Sequence, residues 1–264
     1  MKLVQVTDCH VTGSPEQLYR GADPRQHLLE VIEAAHAWQP DLVLATGDLS
    51  EDGSEESYVF LAEAFSHFEA PVIATPGNHD HAERLQAHFA HCAVRGPLTF
   101  EDDWQGMVLG SARSGLIGGR LDDEQLDALD RLLGADDRPA FLALHHQPWP
   151  VGSPWIDRWA LEEPDRFRAL LERHTRVRLV LWGHVHQAVT LEHGATIGLG
   201  GPSSVSNSLP GQKRFTRDPA GPACRWLELS PDGAFETGLL RPDSSQAPGP
   251  GITGPGTTGP RRVA

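Results

Sequence analysis

The sequence predicts an α/β fold in which stacked β-sheets carry helices on their outer faces. Short apolar runs rich in β-branched residues, each long enough for one buried strand, recur between residues 3 and 182. Patterns with helical spacing fill the stretches between these runs. From residue 190 to residue 240 the pattern becomes shorter strands separated by Gly and Pro turns. Strand–helix alternation followed by a strand-rich region indicates packed sheets with helices outside.

Five runs are predicted as buried strands because they are short, apolar and bounded by turn residues. Shorter strands are expected at 106–109 and within 190–240, including 226–229. The five buried strands are predicted at 3–7, 41–46, 72–75, 141–144 and 179–182.

Helices are predicted in the gaps between these strands. Residues 122–133 form one of them, since acidic residues stand at its start and Gly134 follows its end, as capping and the helix dipole favour. The stretch 164–174 is predicted as the last helix. In the first two gaps, the apolar positions with helical spacing are Leu28, Leu29, Ile32 and Ala35, then Tyr58, Leu61, Ala62, Phe65 and Phe68.

The chain of 264 residues is predicted to fold as one domain over residues 1–241, because no repeat or linker interrupts the pattern. Residues 242–264 are rich in Gly and Pro and contain few apolar side chains. Such a stretch cannot bury enough surface to offset the entropy lost on ordering. It is therefore predicted to be a flexible tail.

The composition describes an acidic protein, with 36 Asp and Glu against 22 Lys and Arg and a formal net charge of −14. This charge argues against nucleic acids and anionic membranes as partners, and no run approaches the ~18 apolar residues of a membrane span. The first residues enter a strand pattern without an apolar signal region. Cys9, Cys92 and Cys224 form no CxxC pair, which favours a cytoplasmic location.

Asp, His or Asn side chains follow each of the five predicted strands. In α/β sheets the carboxyl ends of parallel strands share one edge, and ligands bind at that edge. We therefore expect these side chains to meet in one crevice, although they are far apart in the sequence. In chain order they are Asp8 and His10; Asp48; Asn78, His79 and Asp80; His145 and His146; and His184 and His186.

The residue types predict a site for metal ions. Imidazole and carboxylate groups together suit Zn, Fe, Mn or Co, and no thiolate is placed to select a softer ion. In the Asp-x-His and His-x-His motifs, a period of two is expected to place both side chains on one side of an extended segment. Cys9 is then turned away as a small buried hydrophobe. One such motif is common by chance, whereas five consecutive strand ends of this kind are not explained by packing.

The order of these motifs resembles that of the calcineurin-like metallophosphoesterase superfamily, with all five of its motifs present between residues 8 and 186. The resemblance extends to the bacterial class III 3′,5′-cyclic-AMP phosphodiesterases over about residues 1–240. One departure is Gln147, which stands where the family commonly has Pro after the His145-His146 pair. The stretches that carry the second resemblance are 7–10, 45–53, 76–80, 144–148 and 226–229.

This resemblance implies a four-layer sandwich of two packed mixed β-sheets flanked by helices. It also implies two divalent metal ions, of Fe, Mn, Zn or Co, that share Asp48 as a bridging ligand. One ion would be held by Asp8, His10, Asp48 and His186, and the other by Asp48, Asn78, His145 and His184.

Catalytic and substrate-binding roles are predicted for neighbours of these ligands. His79 is expected to be the general acid that protonates the leaving oxygen, and Asp80 to hold its imidazole in the required tautomer. Asn78, His79 and His146 are expected to contact the substrate, with a hydrogen bond to a carboxylate as the alternative role of His146. Further candidates for contacts with the base and ribose are Arg20, Trp155 and residues 203–207.

The sequence thus predicts a dinuclear metal hydrolase that converts 3′,5′-cyclic nucleotides, cAMP first, to 5′-monophosphates by attack of a hydroxide held between the two ions. A broader phosphodiesterase that acts on glycerophosphodiesters, 2′,3′-cyclic nucleotides or similar small diesters is the alternative. A third hypothesis is a scaffold protein that keeps the fold, has lost metal chemistry and works by binding partners. Such a protein would lack some of the expected metal ligands, and none of them is missing from this sequence. A monomer and a homodimer are both left open.

Overall fold

The computed structural model describes residues 1–94, 96–242 and 252–253. Over these residues two β-sheets pack face to face between two layers of helices, which confirms the predicted four-layer α/β sandwich. Most of the predicted tail, residues 243–251 and 254–264, lies outside the described residues.

The strands occur close to their predicted positions, and each of the five predicted buried strands is present within two residues at either end. In chain order the strands are β1 (Lys2–Val6), β2 (Leu42–Ala45), β3 (Val72–Ala74), β4 (His91–Cys92), β5 (Leu98–Glu101), β6 (Gln105–Val108), β7 (Ala140–Leu144), β8 (Val177–Trp182), β9 (Val189–His193), β10 (Thr196–Gly200), β11 (Cys224–Leu229), β12 (Phe235–Leu240) and β13 (Ile252–Thr253).

Both sheets are mixed. The first has the strand order β13-β12-β11-β1-β2-β3-β4, in which β1 to β4 are parallel and β11 to β13 join antiparallel beside β1. The second has the order β5-β6-β7-β8-β10-β9, with a parallel centre and an antiparallel strand at each edge.

Four helices match predicted ones, and two short ones were not predicted because seven and four residues are too few for a helical period to emerge. Asp122 and Gln125 form a capping box at the start of α4, as the acidic start of that pattern suggested. No helix of the described part of the chain is both long and apolar enough to cross a membrane. In chain order the helices are α1 (Pro24–Ala37), α2 (Glu55–Phe65), α3 (Ala82–His88), α4 (Asp123–Gly134), α5 (Pro154–Asp157) and α6 (Asp165–Arg173).

The core has three layers, which follow from the alternation of side chains along the strands. In β2, Leu42 and Leu44 pack between the two sheets, whereas Val43 and Ala45 face the layer of α1 and α2. Cys9 is fully buried in that outer layer, as predicted for a small hydrophobe.

The carboxyl ends of the central strands of both sheets lie at one edge of the sandwich. The side-chain amide of Gln5 in β1 donates to Thr46 Oγ1 and to the backbone carbonyl of Trp182, both at 2.9 Å, and so joins the end of β2 to the end of β8. Because Gln5 is buried, these bonds fix the alignment of the two sheets where the polar motifs follow.

Candidate metal centre

The polar segments that follow β1, β2, β3, β7 and β8 meet at this edge. Ligand atoms of Asp8, His10 and His186 lie within 4.8 Å of one another, and so do those of Asp8, Asp48 and His145. Asp48 Oδ2 lies 3.9 Å from His10 Nε2 and 3.4 Å from His145 Nε2. The carboxylate of Asp48 therefore stands between the imidazoles of the two groups.

The backbone of these segments is not extended, so the predicted period-two geometry is wrong. Asp8 and His10 have φ angles of 53° and 46°, Asp48 has 49°, and His184 and His186 have 66° and 52°. L-residues rarely adopt this left-handed region, which costs on the order of 1–3 kcal/mol each. Asp8 and His10 still reach one group of ligand atoms, whereas His184 groups with His145 and not with His186.

Each imidazole among the predicted ligands has one nitrogen held by an acceptor. The held nitrogen donates to its acceptor, so the other nitrogen is the one that can present a lone pair to an ion in the crevice. The pairs are His10 Nδ1 with Glu51 Oε2 at 2.7 Å, His145 Nδ1 with Thr46 O at 2.8 Å, His184 Nε2 with Trp159 O at 3.1 Å, and His186 Nδ1 with Ser206 O at 2.7 Å.

The donors that face the crevice fit metal ions better than they fit one another. His10 Nε2 and His186 Nε2 lie 3.0 Å apart, although both have their other nitrogen bonded. His145 Nε2 and Asn78 Oδ1 are buried and have no hydrogen-bond partner among the described residues. A buried polar atom left in this way costs about 1–3 kcal/mol. Nitrogen and oxygen donors of this kind suit divalent Fe, Mn, Zn or Co.

The electrostatics of the crevice hold Asp48 and His186 in the protonation states that metal ligands need, but act against those states at Asp8 and His145. Burial lowers the pKa of His145, but Asp48 outweighs burial and raises this pKa to about 9. Burial raises the pKa of Asp48, but His145 beside it outweighs burial and holds the pKa well below its usual range. Burial and the neighbouring His10 hold the pKa of His186 well below its usual range. Burial raises the pKa of Asp8 to about 6. Asp48 is therefore an anion and His186 a neutral base, as cation binding requires.

His79 is the accessible histidine of the site, with 38% of its side chain exposed. Its backbone N–H donates to Asp48 Oδ1 at 2.9 Å, and its Nδ1 lies 3.1 Å from Glu51 Oε2. Burial lowers the pKa of His79, but Glu51 and Asp48 outweigh it and raise the pKa to about 9. Sequence reasoning missed Glu51, and the available signal was a carboxylate three positions after Asp48 in the same motif.

The predicted role of Asp80 beside His79 is wrong. Asp80 Oδ2 accepts from the backbone N–H groups of Leu49 and Gly77 at 3.2 and 2.9 Å. Its Oδ1 accepts from Ser50 N at 2.9 Å and from the Tyr58 hydroxyl at 3.1 Å. Asp80 therefore ties the turn after β2 to the turn after β3, and Glu51 occupies the place beside the His79 imidazole.

The predicted substrate contact of His146 is not supported by its surroundings, because the residue is fully buried and both of its ring nitrogens are bonded. Nδ1 lies 2.9 Å from Ser111 Oγ, and Nε2 lies 3.0 Å from the carbonyl oxygen of Ile117. The predicted alternative, a bond to a carboxylate, does not occur either. His146 packs edge-on against the predicted ligand His145, with ring centroids 4.7 Å apart.

Residues 203–207 are all buried and lie beside the predicted ligands, and their expected contact with the substrate stays a prediction. Ser203 Oγ donates to the backbone carbonyl of Asp8 at 2.7 Å. Ser206 accepts from His186 as described above. Arg20 and Trp155, the other two candidates, lie near the crevice, as described below.

A methyl group at Gly183 should disrupt the site. A Cβ there would overlap Thr7 Oγ1 and lie 2.8 Å from Asp8 Oδ2 and 2.9 Å from Thr46 O. We expect Gly183→Ala to lower the free energy of unfolding by about 1–3 kcal/mol and to weaken metal binding. Thermal unfolding and metal titration measure both effects.

Gly134→Ala is the matched control, because a Cβ at Gly134 meets only one atom, at 4.0 Å. Its unfolding free energy should change by no more than about 0.5 kcal/mol. Equal behaviour of the two variants would contradict the tight approach of Gly183 to Asp8.

Comparisons with known proteins agree with this geometry. The calcineurin-like phosphoesterase family matches residues 1–188. A Pseudomonas aeruginosa protein described as 3′,5′-cyclic adenosine monophosphate phosphodiesterase CpdA is 36% identical over 244 residues, which cover 91% of this chain and 90% of the relative. The protein of the same description from Escherichia coli K12 is 31% identical over 246 residues, which cover 91% and 90%.

A solved structure with a similar fold is a dimetal phosphatase from Danio rerio. It aligns with a TM-score of 0.75 at 12% sequence identity, and the alignment covers 96% of this chain and 98% of that one. At this identity the likeness concerns the fold alone. The sequence match over residues 1–188, together with relatives above 30% identity along nine tenths of the chain, shows that the protein belongs to the calcineurin-like phosphoesterase family.

Proposed function

We propose that the protein is a dinuclear metal phosphodiesterase that hydrolyses 3′,5′-cyclic nucleotides, with cAMP as the preferred substrate, to 5′-monophosphates. The observation that carries this proposal is the meeting of imidazole and carboxylate donors on both sides of Asp48. The choice of substrate is supported by relatives described as 3′,5′-cAMP phosphodiesterases along nine tenths of the chain.

Two divalent ions are part of this proposal, and their ligands follow the two groups in the crevice. When bound, such ions lower the pKa of a water molecule to near neutrality and polarise phosphoryl oxygens. Asp48 lies between the two groups and is proposed to contact both ions. The ligands are proposed to be Asp8, His10, Asp48 and His186 for one ion, and Asp48, Asn78, His145 and His184 for the other.

His79 is proposed to donate a proton from Nε2 to the leaving ribose oxygen. The carboxylate of Glu51 accepts from Nδ1 of His79, so Nε2 is the nitrogen left to face a substrate. The bond from the His79 backbone N–H to Asp48 holds this imidazole beside the proposed ligands. Glu51 also holds His10, which couples the orientation of the acid to that of a ligand.

The substrate is tested by one assay series. Protein reconstituted with Mn²⁺ should hydrolyse 3′,5′-cAMP with a higher kcat/KM than 3′,5′-cGMP, 2′,3′-cAMP or an aryl phosphodiester. Chromatography of the cAMP reaction should show 5′-AMP as the product and no 3′-AMP.

Chelator-treated protein is the control for this series and should have no activity until Mn²⁺ is restored. A higher kcat/KM for 2′,3′-cAMP or for glycerophosphodiesters would replace the proposal by that of a broader phosphodiesterase. Full activity after chelation would contradict the dinuclear site itself.

A further inference from the structure

A cluster of aromatic rings with one arginine borders the crevice beside His10 and His186, and the proposed chemistry does not use it. We call this cluster the aromatic rim, and its members are Tyr19, Arg20, Trp155 and Phe215. Tyr19 lies parallel to the His10 imidazole, with ring centroids 4.0 Å apart and planes 3° apart. Phe215 stands edge-on to the His186 imidazole, with centroids 5.9 Å apart. The rim is therefore in ring contact with two proposed metal ligands.

Arg20 is placed on this rim by a tight turn. The backbones of Tyr19 and Ala22 exchange two hydrogen bonds of 2.9 Å. The two residues between them, Arg20 and Gly21, have φ angles of 49° and 78°, as a two-residue turn with two left-handed central residues requires. The turn holds an exposed arginine at a fixed position.

The guanidinium of Arg20 lies over the Phe215 ring and has no carboxylate partner among the described residues. Its central carbon lies 3.9 Å from the ring centroid of Phe215, and its Nε donates to the Tyr19 hydroxyl at 3.0 Å. Among the described residues no carboxylate lies within 4 Å of it, although the protein carries 14 more acidic than basic groups. An arginine laid over an aromatic ring presents its other face as a flat cationic surface.

Phe215 is held in turn by the segment that follows the ligand His186. Ser208 donates its backbone N–H to the carbonyl of His186 at 2.9 Å, and Leu209 donates to the carbonyl of Thr216 at 2.7 Å. Trp155 packs edge-on to Phe215 with centroids 5.4 Å apart. Its indole Nε1 is buried and has no hydrogen-bond partner in the described part of the chain.

We infer that Arg20 and Phe215 form the binding site for the purine base of the substrate, with the base stacked on the exposed face of the guanidinium. Purine bases stack on arginine planes and aromatic rings, and the interaction depends on the π-face rather than on one hydrogen-bond pattern. This inference rests on the proposed function, because it takes the phosphodiester to lie at the metal centre. Arg20 and Phe215 then determine specificity for a nucleotide over a diester without a base.

Two substrates separate base binding from phosphate binding. One is cAMP, and the other is the 3′,5′-cyclic phosphate of 1-O-methylribose, which has the same diester and no base. Arg20→Ala, Arg20→Lys and Phe215→Ala should raise the KM for cAMP about tenfold, which corresponds to about 1.4 kcal/mol. In the two Arg20 variants, the kcat for cAMP and both constants for the abasic diester should stay unchanged. Phe215→Ala also removes a ring contact to His186, so only its KM for cAMP is compared. Arg20→Lys is the most informative variant, because it keeps the positive charge and removes the planar guanidinium group.

Arg214→Ala is the matched control, since Arg214 is an exposed arginine next to Phe215 and its loss changes the net charge equally. It should leave both substrates unaffected. Equal rises of KM for cAMP and for the abasic diester in the Arg20 variants would assign Arg20 to the phosphate and overturn the inference. An unchanged KM for cAMP in Arg20→Ala would overturn it as well.

A binding measurement separates this inference from the proposed function. In calorimetric titrations of metal-loaded protein, 5′-AMP should bind about tenfold more tightly than ribose 5-phosphate, a difference of about 1.4 kcal/mol. Arg20→Ala should abolish that difference. Absence of cAMP hydrolysis by the wild type would count against the proposed function, whereas equal affinities for the two ligands would count against the base site.

Discussion

Replacement of Asp48 by Ala should reduce the hydrolysis of cAMP to the background rate and remove bound metal. Asp48 Oδ2 is within 4 Å of His10 Nε2 and of His145 Nε2, so its loss takes a ligand from both proposed ions. It also removes the acceptor of the His79 backbone N–H. A two-metal site should hold about two Mn²⁺ ions per chain after loading. Elemental analysis of the variant should find fewer.

The control for this variant is Asp127→Ala, a surface carboxylate of α4 that pairs with Arg166. It removes the same charge far from the crevice and should keep wild-type activity and metal content. Retention of both ions by Asp48→Ala would refute the bridging position of this carboxylate, whatever its activity.

Replacement of His79 by Ala should lower kcat on cAMP by about 10²–10⁴-fold, the usual contribution of a general acid. Metal content should be unchanged, because the link to Asp48 is made by the backbone of His79. The loss should be much smaller with an aryl phosphodiester, whose leaving group needs no proton. Steady-state kinetics with both substrates and elemental analysis test all three statements.

Two companion variants make this test specific. Glu51→Gln should lose about 10–100-fold in kcat, since Glu51 holds both His79 and His10. His81→Ala, an exposed histidine two positions from His79, should lose nothing. Equal losses of His79→Ala on cAMP and on the aryl diester would exclude the acid role.

The convergence of the motifs within each sheet was predictable because it follows from strand direction. The meeting of the two sheet edges depends in addition on contacts between the sheets, such as those of Gln5. Five buried runs, each followed by a polar segment, locate the ends of parallel strands, and the ends of parallel strands share an edge. The local backbone was not predictable in this way. Asp8 and His186 lie in left-handed conformations, and each is hydrogen-bonded to a distant segment, Asp8 to Ser203 and His186 to Ser206.

The role of a residue next to a predicted site residue depends on the direction in which its side chain points after the strand. Asp80 follows His79 directly in the sequence, yet its carboxylate turns to backbone N–H groups of the loop after β2. His146 follows a proposed ligand and turns inward to Ser111 and Ile117. Both contacts join segments about 30 residues apart. A local pattern carries no information about such contacts.

The position of β1 between β2 and β11 has a consequence for how the chain folds during its synthesis. β1 pairs with β2, about 40 residues later, and with β11, about 220 residues later. A nascent chain can therefore form its first parallel strands early, but β1, which precedes Asp8 and His10, keeps one unpaired edge until β11 has been synthesised. The pairing of the strand that supports the Asp8 segment is therefore completed only after every strand of the second sheet has been synthesised.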